Sequence, residues 1–415
     1  MAEEKKRIPK RRFEEFQNAG EWEQRKLSES YKFSQGLQVS VEEQFNNCLD
    51  GFERFIRIVD VTKSNEPLRY IQNITGKGRV TNDDIFFVRY GAVGTVGYGF
   101  SGTIANNLFV LTPLIKVNSQ FMFQQFSATE FNTKLTEMSA STSMPAINFG
   151  ALNNMMFWYP SIEEQTKIGH FFKTLDNLIS LHQRKLDKIK SLKKAYLSEM
   201  FPAKGESKPK RRFKGFSRDW ELRKLLDNVI KVIDFRGRTP KKLGMDWSGD
   251  GYLALSALNV KNGFIDESID AHYGNQELYD KWMTGNELHQ GQVLFTTEAP
   301  MGNVAQVPDN KGYILSQRTI AFEVKKDLIT ENYLAIVLRS PKSYSTLTSL
   351  SSGGTAKGVS QKSLSELHIL VPRDLKEQEK IGAFFKDIDN IITLHQQKLD
   401  KLKNLKKSYL NEMFV

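Results

Sequence analysis

Cysteine is almost absent from the sequence, which contains Cys48 alone among 415 residues. One thiol excludes an intrachain disulfide and a thiolate metal cluster, so we expect Cys48 to be a small buried hydrophobic residue. Long apolar runs are absent too, since none approaches the roughly 18 to 20 residues that a membrane-spanning helix requires. The N-terminus also lacks the hydrophobic segment of a signal peptide. The sequence therefore predicts a cytoplasmic protein that makes no membrane contact.

The signatures of common catalytic sites are missing as well. There is no GxxxxGKS/T phosphate loop, no HExxH metal motif, no Asn-Pro-Pro-aromatic methyltransferase tetrad and no Cys or His pair at metal-ligand spacing. The glycine-rich stretch 91–99 is not followed by a helix pattern, so it predicts a β-hairpin rather than a nucleotide loop. The residues therefore give no evidence of catalysis, of a cofactor site or of a metal site.

Acidic residues are fewer than basic ones. With 59 Lys and Arg against 48 Asp and Glu, the net charge is +11 and the pI is near 9.3. This balance favours a polyanionic partner, of which nucleic acid is the best candidate. The alternative, that the charge serves only solubility, stays open on composition alone.

An internal repeat is the most informative feature that is present. Gln165–Phe201 and Gln378–Phe414 match at 26 of 37 positions, and Lys10–Phe13 recurs as Lys210–Phe213. Between these shared ends, roughly 130 residues in each half barely resemble each other. A strict frame around divergent contents indicates one scaffold, used twice, that presents two different recognition surfaces.

The repeated segments have the apolar spacing of long helices. In 168–189 and 381–402, apolar positions follow one another in alternating steps of four and three, which is typical of a coiled-coil seam. Segments 161–164 and 374–377 each fit a capping box at the helix start.

Charge favours antiparallel pairing of these helices. Both have acidic residues early and lysines late, so antiparallel packing places acid beside base, although the lysines could instead only cover solvated faces. His182 and His395 occupy equivalent positions in the seams. If a pseudo-twofold axis relates the helices, we expect these imidazoles to meet near it and to fix the helix register. The alternative is that each imidazole lies at the edge of the seam in water.

The sequence predicts an α+β fold with two tandem domains, each followed by a long helix. The predicted segments are a first domain at 13–160, a first helix at 161–201, a linker at 202–212, a second domain at 213–372 and a second helix at 373–415. A faint correspondence between 84–96 and 292–304 indicates that both domains share one fold despite their different surfaces.

Polar and basic residues in the glycine-bearing loops of both domains are candidate DNA contacts. Arginine pairs with guanine, Asn and Gln pair with adenine, and all of them can hold phosphates. The candidates are Lys77, Arg79, Arg89, Tyr90, Asn106 and Asn107 in the first domain, and Arg236, Arg238, Lys241, Lys242, Asn303, Gln317, Arg318 and Lys357 in the second. Segments 234–242 and 353–358 are the two strongest clusters. For any single residue, the alternative is a surface side chain that only aids solubility.

Three features together make the chain resemble the specificity (S) subunit of Type I restriction-modification enzymes. They are the P…EQ..I pattern that starts both long helices, at 160–168 and 372–381, the RGRTPKK segment at 236–242, and the two-half layout. The resemblance covers essentially the whole chain. Its most specific element is the duplicated helix start.

The resemblance implies a non-catalytic protein with two target-recognition domains, each reading one part of a split, asymmetric sequence in double-stranded DNA. It also implies that two methyltransferase subunits dock on the chain and that restriction and translocase subunits join through them. S-adenosylmethionine, ATP and magnesium are then expected on those partners. The rival hypotheses are a stand-alone coiled-coil DNA-binding or architectural protein, and a coiled-coil adaptor that binds no nucleic acid.

Overall fold

The computed structural model describes residues 8–63, 66–128, 131, 133–135, 137, 146–147, 149–203, 205–351 and 357–415. The chain divides into two compact units, the first comprising Met1–Gln183 with Lys398–Val415 and the second comprising Arg184–Gln397. Each unit therefore contains one variable domain together with part of both long helices. Among the described residues, no helix is both long and apolar enough to span a membrane.

The two long helices are Ile162–Glu199 and Leu375–Met413. At the first helix start, the Ser161 hydroxyl accepts a hydrogen bond from the Glu164 backbone N–H at 3.3 Å. At the second, the Asp374 carboxylate accepts one from a first-turn N–H at 2.8 Å. The glutamate side chains do not complete the predicted capping boxes, because both bind arginines instead.

The first unit contains an antiparallel four-stranded sheet, a second four-stranded sheet with one parallel pair, and a two-stranded ribbon. The antiparallel sheet has the strand order Tyr31–Gln35, Leu108–Pro113, Ile85–Val88 and Val96–Gly97. The second sheet has the order Arg69–Ile71, Glu53–Ile56, Gly102–Ile104 and Arg79–Val80. The ribbon pairs Glu23–Lys26 with Met156–Tyr159. Its shorter helices are Leu27–Ser30, Ile58–Thr62, Ser119–Ser127 and Phe149–Asn153, with 3-10 turns at Glu14–Phe16 and Val41–Glu43. The antiparallel pairing of Ile85–Val88 with Val96–Gly97 confirms that the stretch 91–99 belongs to a hairpin.

The second unit repeats the four-stranded antiparallel sheet and one two-stranded ribbon, but among the described residues its second sheet has three strands and a further ribbon is present. In sheet order, its strands are Val229–Asp234, Thr319–Val324, Val293–Thr296 and Val304–Gln306, then Tyr273–Gly274, Tyr252–Leu255 and Ile314–Leu315, with ribbons of Val260–Lys261 with Phe264–Ile265 and of Glu221–Lys224 with His368–Val371. Its shorter helices are Gln276–Met283, Glu331–Arg339, Pro341–Leu350 and Gln361–Ser365, with 3-10 turns at Leu225–Asn228 and Pro240–Leu243. The α+β prediction is therefore confirmed, and the two domains share the strand order of the four-stranded antiparallel sheet.

In each four-stranded antiparallel sheet, one inner strand, Ile85–Val88 or Val293–Thr296, is buried on both faces. Phe87 packs in one hydrophobic cluster and its neighbour Phe86 in another, because successive side chains point to opposite faces of a strand. Phe295 and Leu294 are divided in the same way. Since both faces are covered, these strands are continuously apolar and show no alternation of polar and apolar residues.

Segments of the two long helices pair antiparallel within each unit. In the first unit, the Phe171 and Tyr409 ring centroids are 5.1 Å apart, and the Asp176 carboxylate accepts a hydrogen bond from the Lys406 amine at 2.6 Å. Since the residue numbers run in opposite senses along these contacts, the segments are antiparallel.

The second unit uses the equivalent side chains with the two helices exchanged. The Tyr196 and Phe384 rings are also 5.1 Å apart, and Lys193 pairs with Asp389. Burial lowers the pKa of Lys193, nearby Arg339 lowers it further, and Asp389 opposes both effects. His182 belongs to the first unit and His395 to the second, so their meeting and the continuous coiled coil stay predictions.

The prediction that Cys48 is buried is wrong. The side chain is exposed, and its sulfur lies 3.7 Å from the Phe52 carbonyl oxygen. Asn46, Asn47 and Asp50 are exposed in the same loop, and these polar neighbours keep the segment at the surface.

Candidate nucleic-acid interface

A buried ion pair joins the segment that precedes each domain to the start of a long helix. In the first unit, the Arg12 guanidinium donates two hydrogen bonds to the Glu164 carboxylate, both at 2.6 Å, and the side chains are 6% and 1% exposed. In the second unit, Arg212 binds Glu377 in the same way, at 2.6 and 2.8 Å. One arginine of each repeated Lys-Arg-Arg-Phe segment therefore fixes that segment to a long helix and is not available to a ligand.

The glutamine that follows each of these glutamates joins three chain segments. The Gln165 side chain donates to the carbonyl of the preceding proline at 2.9 Å and accepts from the Asn118 N–H at 3.0 Å, where a short helix begins. Gln378 makes the equivalent bonds, at 2.8 Å to a proline carbonyl and at 2.9 Å from the Thr330 N–H. The duplicated Glu-Gln pair thus has a structural role, which is to hold the domain core against the helix start.

Four of the six candidate DNA contacts of the first domain lie where three loop segments meet. We call this site the first junction, formed by residues 89–90, 106–107 and 146–147. The Arg89 N–H donates to the Asn107 carbonyl at 2.9 Å, and the Ile147 N–H donates to the Arg89 carbonyl at 2.8 Å. Tyr90 pairs with Ala146 in an isolated β-bridge. The fold therefore brings Arg89, Tyr90, Asn106 and Asn107 together.

Two glutamines that sequence reasoning missed support the first junction. The Gln35 amide donates to the Asn106 carbonyl at 2.5 Å, and its oxygen lies 3.3 Å from Nη1 of Arg89. Gln38 accepts a hydrogen bond from the Asn106 amide at 3.3 Å. The Arg89 guanidinium also lies 4.8 Å from the Phe149 ring centroid, a cation–π distance. Arg89 is therefore held in place before any ligand binds.

The second domain builds the same backbone arrangement with different side chains. Residues 297–298, 317–318 and 358–359 form this second junction. The Thr297 N–H donates to the Arg318 carbonyl at 2.8 Å, and the Val359 N–H donates to the Thr297 carbonyl at 2.9 Å. Glu298 and Gly358 form the β-bridge. Asn106 and Asn107 of the first junction thus correspond to Gln317 and Arg318 of the second.

A cavity of about 390 Å³ opens beside the second junction. Its lining includes four of the candidate DNA contacts, Arg238, Lys241, Gln317 and Arg318. The first two lie in a different part of the sequence from the last two. The Gln317 amide donates to the Arg238 carbonyl at 2.8 Å and so ties the RGRTPKK segment to the junction. The cavity also has a tryptophan wall that loop composition did not reveal.

The two arginines of segment 234–242 differ in how firmly they are held. Arg238 donates to the Trp282 carbonyl at 2.6 Å, so its guanidinium is partly engaged within the domain. Arg236 is 48% exposed and makes one ion pair, with Asp234 at 3.2 Å. An exposed arginine of this kind can exchange its carboxylate partner for a phosphate or a base.

Lys77 and Arg79 lie outside the first junction. The Arg79 side chain is 55% exposed and binds Glu53 through two nitrogens at 2.9 and 3.2 Å. The hydrogen bond to Glu53 raises the pKa of Arg79. Burial tends to raise the pKa of Glu53, but hydrogen bonds from Arg79 and Thr103 outweigh it, and the pKa is lowered. Arg79 faces Thr103 across its sheet, on the strand that leads towards the junction.

The remaining candidates of the second domain are placed differently. The Asn303 amide donates to the Val260 carbonyl at 3.0 Å, and the Lys242 amine donates to the Gly237 carbonyl at 2.6 Å, so both are used within the domain. Lys357 is exposed beside the second junction. Positions 353–356 of the predicted cluster 353–358 lie outside the described residues.

No metal site is evident in the part of the chain that the structure describes. Within those ranges, no group of three or more His, Cys, Asp or Glu side chains is placed to hold an ion. The arrangement offers hydrogen-bond donors, acceptors and aromatic faces, which suit recognition rather than bond breaking.

Comparison with known proteins identifies the family. The model of the Type I restriction modification DNA specificity domain matches the chain twice, at residues 19–191 and 217–404. The chain belongs to this specificity-subunit family. Each match begins in a recognition domain and ends within a long helix, so the repeated unit of the family is a domain with its helix.

Relatives that match along most of the chain carry the same description. The chain is 23% identical to the Type I restriction enzyme MjaVIII specificity subunit of Methanocaldococcus jannaschii, over 94% of this chain and 91% of that protein. It is 23% identical to the putative MjaX specificity subunit of the same organism, over 65% and 61%.

A solved structure has the same fold. The crystal structure of the Type I restriction-modification S subunit from M. genitalium matches with a TM-score of 0.70 at 12% identity. The match covers 98% of this chain and 99% of that one. At this identity the likeness concerns the fold alone.

Proposed function

We propose that this chain is the DNA sequence-recognition subunit of a Type I restriction-modification complex. It reads a bipartite, asymmetric target, one part with each domain, and performs no catalysis itself. Two methyltransferase subunits dock on it in the cytoplasm, and restriction and translocase subunits join through them. S-adenosylmethionine, ATP and magnesium belong to those partners. Membership of the specificity-subunit family supports the role, and the residues below support its details.

The two junctions carry the proposal, because one backbone arrangement displays two sets of side chains. Arg89, Tyr90, Asn106 and Asn107 of the first junction are replaced by Thr297, Glu298, Gln317 and Arg318 in the second. Thr297 is buried, so the second junction displays Glu298, Gln317 and Arg318. Base recognition depends on which donors and acceptors meet the base edges. Two sites with the same geometry and different donors therefore read different bases, and the target is asymmetric.

Exposed apolar residues on the long helices support docking of two identical partners. The first unit exposes Leu178, Leu181 and Leu405, and the second exposes the equivalent Ile391, Leu394 and Leu192, each by 39 to 64%. Exposed apolar patches mark protein interaction sites more often than isolated apolar residues do. Since the same set occurs once in each unit, it fits two copies of one partner.

Co-expression of this chain with its methyltransferase subunit tests this function. We expect a complex of one chain with two methyltransferase subunits, and selection from a random DNA library should recover one bipartite sequence. The matched control is the chain alone, which should bind DNA with little selectivity. Full selectivity of the chain alone would favour a stand-alone DNA-binding protein. A complex that selects no DNA would favour an adaptor.

A further inference from the structure

Backbone strain is concentrated around the cavity beside the second junction. In the described part of the chain, the non-glycine residues with positive φ are Asp270, Ala299 and Arg318, at 51°, 47° and 65°. All three line this one cavity. Left-handed backbone is unfavourable for residues with a Cβ and tends to occur at functional sites, where the side chain is needed in that position.

The cavity has one aromatic wall and several polar groups that are already satisfied. The Trp247 and His272 rings stack with centroids 5.6 Å apart. The Asp270 carboxylate accepts a hydrogen bond from the Ser256 hydroxyl at 2.6 Å and lies 3.2 Å from Nε2 of His272. These contacts organise the wall and engage both carboxylate oxygens of Asp270.

Two charged groups at the cavity retain unused hydrogen-bonding capacity. The Arg318 side chain is 54% exposed, and its nearest acidic partner, Glu298, lies 3.8 Å away, beyond hydrogen-bond distance. Asp246 also lines the cavity, and within the described residues its carboxylate has neither a hydrogen bond nor an ion pair. The site thus offers a guanidinium whose one acidic neighbour is beyond hydrogen-bond distance and a carboxylate without a hydrogen bond to any described residue, both beside an aromatic wall.

We propose that Arg318 and Asp246 read one G·C base pair in the half of the target recognised by the second domain. Arginine donates two hydrogen bonds to O6 and N7 of guanine, and a carboxylate accepts from the N4 amino group of cytosine. A phosphate would meet basic side chains in this cavity but also the carboxylates of Asp246 and Asp270, whereas a G·C pair uses a guanidinium and a carboxylate together. This inference rests on the proposed function and assigns a base pair to one of its sites.

Because Arg318 has a left-handed backbone, its role in base reading can be tested without destabilising the protein. Glycine adopts positive φ without steric cost, so Arg318→Gly removes the guanidinium and also relieves the strain. Arg318→Lys keeps the charge but loses the two-pronged donor. Asn107→Gly changes the corresponding position of the first junction, where φ is not positive, and serves as the comparison that acts on the other half-site.

The experiment maps the methylated motif of the assembled complex for each variant. The wild-type second half-site should contain a G·C pair whose preference falls about 5- to 150-fold in Arg318→Gly, the range expected for one bidentate contact. Arg318→Lys should relax the same position, and the melting temperature of Arg318→Gly should be no lower than that of the wild type. Asn107→Gly should leave the second half-site unchanged.

Several results would overturn the inference. An unchanged G·C preference in Arg318→Gly, or relaxation at an A·T position instead, removes the assigned base pair while leaving the proposed function intact. Uniformly weaker methylation without any change of motif would mean that Arg318 holds a phosphate. Absence of a bipartite motif for the wild-type complex would overturn the proposed function and this inference together.

Discussion

Replacing Glu164 by Gln should lower the melting temperature of the protein markedly. In the native state, the Arg12 guanidinium is 6% exposed and gives the Glu164 carboxylate two hydrogen bonds of 2.6 Å. Glu164→Gln keeps the size of the side chain but leaves a buried cation without its anion. Arg12 retains contacts to the Ala19 and Gly20 carbonyls, at 2.6 and 3.1 Å, and these neutral acceptors offset only part of the loss.

The expected magnitude follows from burial. Removing one partner of a buried ion pair costs about 3–5 kcal/mol. For a unit of about 200 residues, each kcal/mol lowers the melting temperature by roughly 2–4 °C, so the expected fall is about 6–20 °C. Glu377→Gln should behave alike, because the Arg212 pair is buried in the same way.

Scanning calorimetry provides the measurement, and the neighbouring arginine provides the control. Arg11 pairs with Glu412 at the surface, where the two side chains are 55% and 32% exposed, so Arg11→Met should lower the melting temperature little. Arg12→Met combined with Glu164→Met should cost less than Glu164→Gln, because no buried charge remains. The reasoning is refuted if Glu164→Gln melts no lower than Arg11→Met.

Three further predictions concern recognition and docking. Exchange of residues 213–372 for those of a relative should change one half of the methylated motif only; a change in both halves contradicts separate domains. Arg236→Ala should weaken DNA binding of the complex by about 1–3 kcal/mol and flatten its salt dependence, with little effect on melting, since the side chain is 48% exposed. Leu181→Asp with Leu394→Asp should abolish co-purification of the methyltransferase subunit while the circular dichroism spectrum is kept; normal recovery of that subunit would exclude these helix faces.

The repeated frame made much of the fold predictable from the sequence. Two copies of nearly the same segment must adopt the same structure, and alternating apolar steps of four and three leave helix as the only regular choice. The pattern does not reveal the partner of each side chain that the two halves share. Arg12 and Glu164 are 152 residues apart, so the capping box was a reasonable local interpretation of a glutamate whose true partner is distant.

The candidate interface was predictable as a set of residue types but not as a site. Asn106 and Arg89 were found because polar residues in glycine-bearing loops stand out, whereas Gln35 lies 71 residues before Asn106 and reaches it only through strand pairing. Asp246 carries no local signal at all. The strain at Arg318 is likewise a property of the folded backbone and has no counterpart in the sequence.

Mapping DNA methylation in cells that express this chain with its methyltransferase partner tests the central claim most directly. We expect one motif with two different specified halves, separated by a fixed number of unread bases. The reason is that the two junctions have equivalent backbone hydrogen bonds but carry different side chains. A palindromic motif, a single uninterrupted motif or no sequence preference would contradict it.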